Sequence, residues 1–376
     1  MTGTRLVARC VRGLEHVVTE EILRERGGAV RWIGHREIHW EEEVTESAPV
    51  LRTADDVFLF VNRVPDIGRT REHLPGLAGL VSKVDLHALL ERRRSYTGVG
   101  AGTGIEASAS FLGKRTYNRY DVEDTLGAQL SEVLGVDYFS RRGEVAPPPG
   151  GSGWRLTLDG EWATLMLRVF PRPLHRREYK QASVVGTVRP PVAAAIAAMA
   201  ELEPDHTVLD PCCGAGTLLI EAGELQPDAD IRGFDLDPVA VRAARENARN
   251  PRGKRPRIEE ADAARLPLPD ASVDRVVSNP PWGGQVPPAG RLAGSPGRWW
   301  REVRRVLRPE GRAVVLLADT RDLTVAIANG LAPSTVRRLR INGAPAHIVA
   351  LAPTPEPTPA PRPQGQGRPK ASKRRR

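Results

Sequence analysis

At the centre of the chain stands Thr207-Val208-Leu209-Asp210-Pro211-Cys212-Cys213-Gly214-Ala215-Gly216-Thr217, a short apolar run followed by a glycine-rich turn. The apolar run predicts a buried strand that ends at Asp210, and a helix is expected to follow the turn. Glycines in the turn allow a ligand to approach the backbone at the carboxyl end of the strand. This stretch therefore predicts the first strand–turn–helix unit of an open α/β sheet.

The alternation of short apolar runs and helical segments continues around this stretch. An alanine-rich helix is predicted before it, over 191–200. The segments predicted after it are a strand at 231–235, a helix at 238–250, strands at 257–259 and 273–278, a helix ending near 307 and a strand at 313–318. Such regular alternation is typical of a parallel, doubly wound sheet.

The last two apolar runs, 336–341 and 347–351, are joined by Asn342-Gly343-Ala344-Pro345. A connection of this length is too short for a crossover, so the last strand is expected to run antiparallel.

The first 172 residues show a different pattern, in which predicted strands and helices come in mixed order. We predict strands at 5–9 and 105–111, one or two strands within 30–40, helices at 13–27, 54–62, 80–91 and 122–134, and a hairpin over 154–169 that turns at Asp159-Gly160. This order predicts a small α+β module ahead of the α/β domain.

Composition narrows the class of protein. With 376 residues the chain is long enough for two or three domains. It has no apolar stretch of the length that a membrane span or a secretory signal needs. Its three cysteines offer neither a disulfide framework nor zinc-ligand spacing. We therefore expect a cytoplasmic, metal-free protein, with a monomer as the expected oligomeric state.

The net charge of +9 suggests a polyanionic partner, but most of it lies in one segment. Residues 353–376 contain seven basic residues and one acidic residue, so this tail contributes +6 and the rest of the chain +3. The tail is rich in proline and then basic, so we expect it to be disordered. Charge alone is thus a weak argument for nucleic acid.

Three acidic residues end or directly follow successive predicted strands: Asp210, Asp235 and Asp262. Asp235 suits the two ribose hydroxyls of a nucleotide, which is also the pattern of dinucleotide-binding proteins. Two features oppose NAD. Leu219 stands where the third glycine of that fingerprint would fall, and Asp210 would repel a pyrophosphate. Asp210 suits the amino group of a methionine moiety and Asp262 suits an adenine amine, which together favour S-adenosylmethionine.

The motif Asn279-Pro280-Pro281-Trp282 follows the predicted fourth strand directly. Consecutive prolines fix the backbone and project a rigid loop from the strand end. An exocyclic amine of a base is a poor nucleophile, so the chemistry needs an acceptor for each N–H, which Asn279 Oδ1 and the Pro280 carbonyl can supply. Trp282 can stack on a base extruded from its helix. The motif therefore predicts methylation of an amino group on a base.

With these motifs the chain resembles the THUMP-domain RNA guanine-N2 methyltransferases, and among them those that act on tRNA. Residues 10–15 (CVRGLE) are similar to the opening helix of that family's N-terminal domain, and residues 109–117 (ASFLGKRTY) resemble its THUMP core. Residues 174–180 (LHRREYK) resemble the linker motif, in which Glu178 replaces the usual glycine. The glycine-rich turn and the Asn-Pro-Pro-Trp motif match the cofactor and catalytic motifs.

The resemblance implies a Rossmann-like class I methyltransferase domain preceded by an α+β ferredoxin-like/THUMP module. The implied domains are an N-terminal ferredoxin-like domain (1–75), a THUMP RNA-binding domain (76–172), a linker (173–186), the methyltransferase domain (187–352) and the basic tail (353–376). The implied reaction is methyl transfer from S-adenosylmethionine to guanosine N2 in the acceptor stem of a tRNA.

The site residues expected on these grounds fall into three sets. The catalytic set is Asn279, Pro280, Pro281 and Trp282. The cofactor-binding set is Asp210, Cys212, Gly214, Gly216, Thr217, Asp235, Leu236, Asp262, Ala263 and Asn279. The RNA-binding set, drawn from basic residues of the smaller module and linker, is Lys114, Arg115, Arg172, Arg176, Arg177 and Lys180.

Three alternatives stay open at this point. Ribosomal RNA is an alternative substrate, since related enzymes with the same amino-terminal arrangement act on it. A DNA amino-methyltransferase would use a similar Asn-Pro-Pro loop, although no target-recognition insertion is visible. A non-catalytic RNA-binding protein with a methyltransferase fold is expected to have lost Asp210, Asp235 or Asn279, and all three are present.

Overall fold

Two seven-stranded sheets organise the part of the chain that the computed structural model describes, residues 3–100, 102–143, 148–249, 253–281 and 287–355. The strands are β1 (Thr4–Arg9), β2 (Ala29–Gly34), β3 (Glu37–Glu42), β4 (Asp56–Pro65), β5 (Ile105–Phe111), β6 (Ser152–Leu158), β7 (Trp162–Arg168), β8 (Thr207–Asp210), β9 (Asp230–Asp235), β10 (Arg257–Glu260), β11 (Val273–Ser278), β12 (Leu307–Leu317), β13 (Leu331–Ile341) and β14 (Ala344–Pro353). The α-helices are α1 (Glu15–Arg26), α2 (Ala78–Val81), α3 (Leu86–Thr97), α4 (Arg119–Leu134), α5 (Pro190–Met199), α6 (Thr217–Leu225), α7 (Pro238–Asn247), α8 (Pro296–Val306) and α9 (Asp322–Ala328). None of the helices in these ranges combines the length and apolar composition that a bilayer span requires.

The amino-terminal sheet has the strand order β2-β3-β1-β4-β7-β6-β5. Its neighbouring strands are antiparallel except β5 and β6, which are parallel. Because β4 pairs with β7, strands from the two domains expected within 1–172 join in one continuous sheet. The predicted α+β module is confirmed, whereas the domain boundaries stay predictions.

Two helix predictions in this module are wrong. Residues 54–62 contribute to β4 because the run Val57-Phe58-Leu59-Phe60-Val61 is rich in aromatic and β-branched residues, which favour a strand. The single helix expected over 80–91 is divided into α2 and α3. Asp85 begins α3 by accepting a hydrogen bond from the Ala88 amide at 2.9 Å, as an N-cap does.

The carboxyl-terminal sheet has the order β10-β9-β8-β11-β12-β14-β13. Strands β8 to β12 are parallel to their neighbours within this group. Strand β14 is antiparallel to both β12 and β13, which confirms the expected direction of the last strand. Strand order reverses between β8 and β11, where open α/β sheets bind ligands.

Leu219 of α6 fits against the sheet because its neighbour on β9 is a glycine. Leu219 is fully buried, and a Cβ added at Gly233 would lie 2.3 Å from its Cδ1 atom. The large side chain that replaces the third glycine of the dinucleotide fingerprint is thus accommodated by a small residue on the adjacent strand.

Gly233→Ala is expected to lower the free energy of unfolding by about 1–3 kcal/mol, because the added methyl group overpacks a closed core. Urea denaturation measures this change. Gly223→Ala in the same βα unit is the matched control. Its added Cβ meets only Ile231 Cγ1 at 3.8 Å, so it should be neutral or stabilising by about 0.5–1 kcal/mol. Equal destabilisation by both substitutions would contradict the packing argument.

A buried charge cluster joins the two halves of the molecule through Glu221 of α6, whose side chain is fully buried. Arg52 Nε donates to Glu221 Oε2 at 2.8 Å, and Arg177 Nε donates to Glu221 Oε1 at 2.9 Å. The Tyr179 hydroxyl donates to the same Oε1 at 2.8 Å. The amino-terminal module and the linker are therefore both anchored on the helix that follows the glycine-rich turn.

Candidate active site

A cavity of about 1030 Å³ opens at the carboxyl ends of β8, β9, β11 and β12. Three parts of the chain line it: the turns after these strands, the segment 183–188 that begins in the predicted linker, and the tip of the β13–β14 hairpin. All ten residues of the predicted cofactor-binding set except Gly216 line this cavity. Gly216 lies within the turn itself, at φ 77°, directly before α6.

Asp210 is fully buried at the end of β8, and its two carboxylate oxygens have different surroundings. Oδ1 accepts hydrogen bonds from the Ser278 hydroxyl at 2.8 Å and from the Cys212 amide at 3.1 Å. These bonds tie the ends of β8 and β11 together. Oδ2 is buried without a hydrogen-bond partner among the described residues. A cationic amine in the cavity would satisfy this oxygen, as expected for the amino group of S-adenosylmethionine.

Burial raises the pKa of Asp210 to about 7, against the lowering effect of the bonds from Ser278 and Cys212. Between its unfolded-state pKa near 4 and this value, the folded chain binds more protons than the unfolded chain. The stabilisation linked to Asp210 is thus fully present below about pH 4 and is lost as the pH rises through about 7.

Asp210→Asn is expected to remove this pH dependence, because an amide does not titrate. Relative to the variant, the wild-type free energy of unfolding should fall by up to roughly 4 kcal/mol as the pH rises from about 4 to about 8. Urea denaturation of both proteins across this range measures the difference. A difference between the two that does not change with pH would show that Asp210 does not hold its proton in the folded chain.

The glycine-rich turn is held in place by the end of β9. The Gly214 amide donates to Asp235 Oδ2 at 2.8 Å, and the Asp237 amide donates to Oδ1 at 2.9 Å. Gly214 has φ 53°, in the region that favours glycine. Asp235 is only partly buried and lines the cavity, so its remaining lone pairs can accept hydroxyl groups. On the other side of the turn, Thr217 Oγ1 is buried without a partner among the described residues.

Asp262 and Leu236 form the far end of the cavity. Asp262 Oδ1 accepts from the Ala264 amide at 2.9 Å, and Oδ2 accepts from the Arg291 amide at 3.2 Å. A Cβ added at Gly290 would lie 2.7 Å from Leu236 Cδ2. The segment around Gly290 thus crosses directly over these two residues. Leu236 remains 40% exposed, which leaves an apolar surface for a flat ring.

Asn279 follows β11 and lines the cavity beside the linker. Its Nδ2 atom donates to the Gly186 carbonyl at 3.1 Å, which assigns the amide orientation and directs Oδ1 away from the linker. Pro280 is buried and Pro281 is partly buried at the same strand end, and both line the cavity. Trp282 lies outside the described residues, so its stacking role stays a prediction.

Neither cysteine of the glycine-rich turn is placed to act as a nucleophile. Burial, together with the charge of Asp210, raises the pKa of both the Cys212 and the Cys213 thiol. The thiols therefore stay protonated at neutral pH, and Cys213 packs in the core.

Two members of the predicted RNA-binding set are wrong because their side chains are committed to internal ion pairs. The Arg115 side chain is only 2% exposed and pairs with Asp66 at 2.6 Å. Arg177 belongs to the buried Glu221 cluster, with 10% of its side chain exposed. Neither guanidinium is free to meet a phosphate.

The other four members stay predictions. Lys114 and Arg176 are exposed, whereas Lys180 is partly buried. Arg172 is exposed and pairs with Glu178 at 2.5 Å, on a glutamate that is itself 90% exposed. Glu178, which stands where the family usually has a glycine, therefore lies on the surface. Its φ angle is not positive, so this position does not require a glycine.

Sequence reasoning missed the two cavity walls that come from outside the βα turns. One is the linker segment, whose Gly186 carbonyl orients Asn279. The other is the hairpin tip, where Ile341 and Pro345 line the cavity. No motif marks either wall, because both are brought to the strand ends by long-range packing.

Comparison with known proteins places these features in a family context. Residues 177–343 match the family described as RMKL-like, methyltransferase domain. The chain is 30% identical over 256 residues to a tRNA (guanine(6)-N2)-methyltransferase of Thermus thermophilus, covering 67% of this chain and 73% of the relative. It is also 34% identical over 164 residues to the U6 snRNA (guanine-N(2))-methyltransferase THUMPD2 of Bos taurus, covering 43% of this chain and 31% of that protein.

Solved structures share the whole arrangement of the two halves. TrmN from Thermus thermophilus matches with a TM-score of 0.69 at 24% identity, over 93% of this chain and 99% of that one. SMU.472, described as a putative methyltransferase complexed with SAH, matches with a TM-score of 0.70 at 18% identity, over 95% of this chain and all of that one (100%). These likenesses confirm the Rossmann-like methyltransferase fold and the module that precedes it.

Proposed function

Because the chain belongs to the THUMP-domain RNA guanine-N2 methyltransferase family, we propose that it methylates the exocyclic N2 of a guanosine in tRNA, in the acceptor stem. S-adenosylmethionine is the methyl donor of this family and supplies an electrophilic sulfonium methyl group when bound. Beyond membership of the family, what we propose is the choice of RNA, the target stem and the residues that carry the reaction.

The observation that carries the proposal is the bond between Asn279 Nδ2 and the Gly186 carbonyl. With its nitrogen engaged by the linker, Asn279 presents Oδ1 as an acceptor. The guanine N2 amine has two N–H groups, and Oδ1 together with the Pro280 carbonyl would accept one each. Holding both hydrogens lets the nitrogen pyramidalise towards the methyl group, so the residues act through position and electrostatics. The product ammonium loses its proton readily, and no dedicated strong base is needed.

The residues that line the cavity can meet three parts of the methyl donor: its methionine amine, its ribose and its adenine. The unpartnered Asp210 Oδ2 would accept from the methionine amine, and Asp235 would accept the ribose hydroxyls. Asp262 and the exposed face of Leu236 would bound the adenine. These residues bind and orient the donor, while Asn279 and Pro280 face the base.

The preference for tRNA rests on the relative that covers the larger part of this chain, whose name specifies guanine 6 of tRNA. The acceptor stem is what the resemblance to tRNA-acting family members implies. The relative named for U6 snRNA matches over a smaller share of this chain, 43%, and it makes another small structured RNA the competing substrate.

Transfer of a labelled methyl group to separate pools of tRNA, ribosomal RNA, U6 snRNA and duplex DNA tests the substrate. We expect label in tRNA alone. Label confined to one of the other nucleic acids would replace tRNA with that substrate, and binding of S-adenosylmethionine without transfer to any pool would favour a non-catalytic protein.

A further inference from the structure

The two halves of the molecule touch through their backbones at the turn after β1. The Arg340 amide of β13 donates to the Arg12 carbonyl at 3.0 Å, in an isolated antiparallel bridge. Gly13 has φ 99°, and a Cβ there would lie 2.1 Å from the Arg338 carbonyl oxygen. Such a close approach permits only glycine, so the turn is held against the edge strand.

This meeting point brings together three exposed arginines, Arg12, Arg338 and Arg340, named here the junction arginines. Within the described ranges, no carboxylate oxygen lies within the 4.0 Å of an ion pair from any of their guanidinium groups. Cationic side chains that lack an ion-pair partner on one surface attract a polyanion.

The nearby acids are already engaged elsewhere. The Glu15 carboxylate accepts the Gly13 amide at 2.7 Å and the Arg36 amide at 3.1 Å. Asp55 pairs with Arg36 at 3.4 Å and with Arg189 at 2.8 Å. Neither carboxylate forms an ion pair with a junction arginine.

His35, on the β2–β3 turn, reports the same positive surroundings. Burial lowers its pKa, and the charge of Arg12 is the next contribution, followed by those of Arg36 and Arg9. The imidazole is therefore neutral at pH 7, and the positive potential of this surface comes from the arginines.

The junction arginines reach the rim of the candidate active site. Arg340 pairs across the hairpin with Pro345 and directly precedes Ile341, and both of these neighbours line the cavity. The positive surface thus begins at the cavity wall and continues onto the amino-terminal module.

We propose that Arg12, Arg338 and Arg340 form a phosphate clamp that holds the RNA strand beside the target nucleotide. The inference rests on the proposed function, because the polyanion is the RNA substrate. Phosphate-binding side chains of this kind position a strand without reading its sequence. The clamp spans both halves of the molecule, so it would couple docking of the RNA on the amino-terminal module to placement of the base in the cavity.

The test is binding of a fluorescently labelled tRNA transcript to the full chain over a series of KCl concentrations. The triple variant Arg12→Ala, Arg338→Ala, Arg340→Ala should bind roughly 10–100-fold more weakly near 0.1 M salt. The slope of log affinity against log salt should become less negative by about 0.9 for each phosphate that the variant no longer neutralises. Replacement of all three arginines by lysine should restore most of the affinity.

Arg257→Ala is the matched control, since Arg257 lies on the opposite edge strand β10 with 61% of its side chain exposed. Its affinity and salt slope should equal those of the wild type. Unchanged affinity of the triple variant for S-adenosylmethionine, measured by calorimetry, verifies that the methyltransferase domain is folded.

Two outcomes would overturn the inference, and they differ. If the wild type methylates tRNA while the triple variant binds tRNA with the same affinity and salt slope, the clamp alone is wrong. If the wild type neither binds nor methylates any RNA, both the proposed function and the clamp are wrong.

Discussion

Asn279→Ala should reduce methyl transfer by roughly 10³-fold while S-adenosylmethionine binds with nearly unchanged affinity, because one of the two acceptors for the target amine is lost. The linker bond explains why the effect should be so large: the Gly186 carbonyl fixes the amide, so no other group can take over the position of Oδ1. Single-turnover rates with saturating tRNA and the dissociation constant of the methyl donor are the two quantities to compare.

Two further variants sharpen this result. Asn279→Asp keeps Oδ1 but replaces the donor Nδ2 by a second oxygen, which would face the Gly186 carbonyl without a hydrogen to donate, so its rate should also fall strongly. Asn62→Ala is the matched control, because Asn62 Nδ2 likewise donates to a backbone carbonyl, that of Leu80 at 3.1 Å, far from the cavity. Parallel losses of rate and of donor affinity in Asn279→Ala would show that the side chain serves the donor and not the base.

Asp235→Ala should have the opposite signature, a large loss of affinity for S-adenosylmethionine. A carboxylate that accepts hydroxyl groups contributes roughly 2–3 kcal/mol, which corresponds to about a 30–150-fold change in the dissociation constant. The substitution also removes the acceptor of the Gly214 amide, so the glycine-rich turn loses its anchor on β9. Both effects act in the same direction. Calorimetric titration with the donor measures the sum.

Asp230→Ala provides the comparison for this prediction. Asp230 begins the same strand that Asp235 ends and pairs with Arg232 and Arg257 on the side away from the cavity. Its loss should leave donor affinity unchanged. An Asp235→Ala protein that binds the donor as tightly as the wild type would remove Asp235 from the site.

The methyltransferase half could be predicted from the sequence because its signals are local. Short apolar strands, glycine turns and an acid at each strand end follow one another in chain order. The predicted cofactor-binding residues of three successive turns therefore line one cavity at one edge of the sheet. The antiparallel last strand was predictable for a similar reason, since its connection to β13 is only Asn342-Gly343 in the structure.

The amino-terminal module was less predictable because its decisive interactions are long-range. Strand β4 is buried on both faces over most of its length, so its apolar run lacks the alternation that separates a strand from a helix. The roles of Arg115 and Arg177 depend on Asp66 and Glu221, which lie 49 and 44 residues away in the sequence. An arginine that meets its partner only in the folded chain cannot be distinguished from a surface cation beforehand.

The same limit applies to the walls of the cavity. Gly186 orients Asn279 from 93 residues away, and the hairpin tip reaches the cavity only after the whole sheet has formed. Motifs predict the groups that contact the ligands, whereas the residues that position those groups emerge from the fold.

The most direct measurement is nucleoside mass spectrometry of tRNA incubated with the purified chain and methyl-labelled S-adenosylmethionine. The two-acceptor arrangement at Asn279 and Pro280 predicts that the label appears as N2-methylguanosine with the wild type and disappears with Asn279→Ala. Label in a ring-nitrogen, ribose or adenosine product, or label that persists in Asn279→Ala, would contradict it.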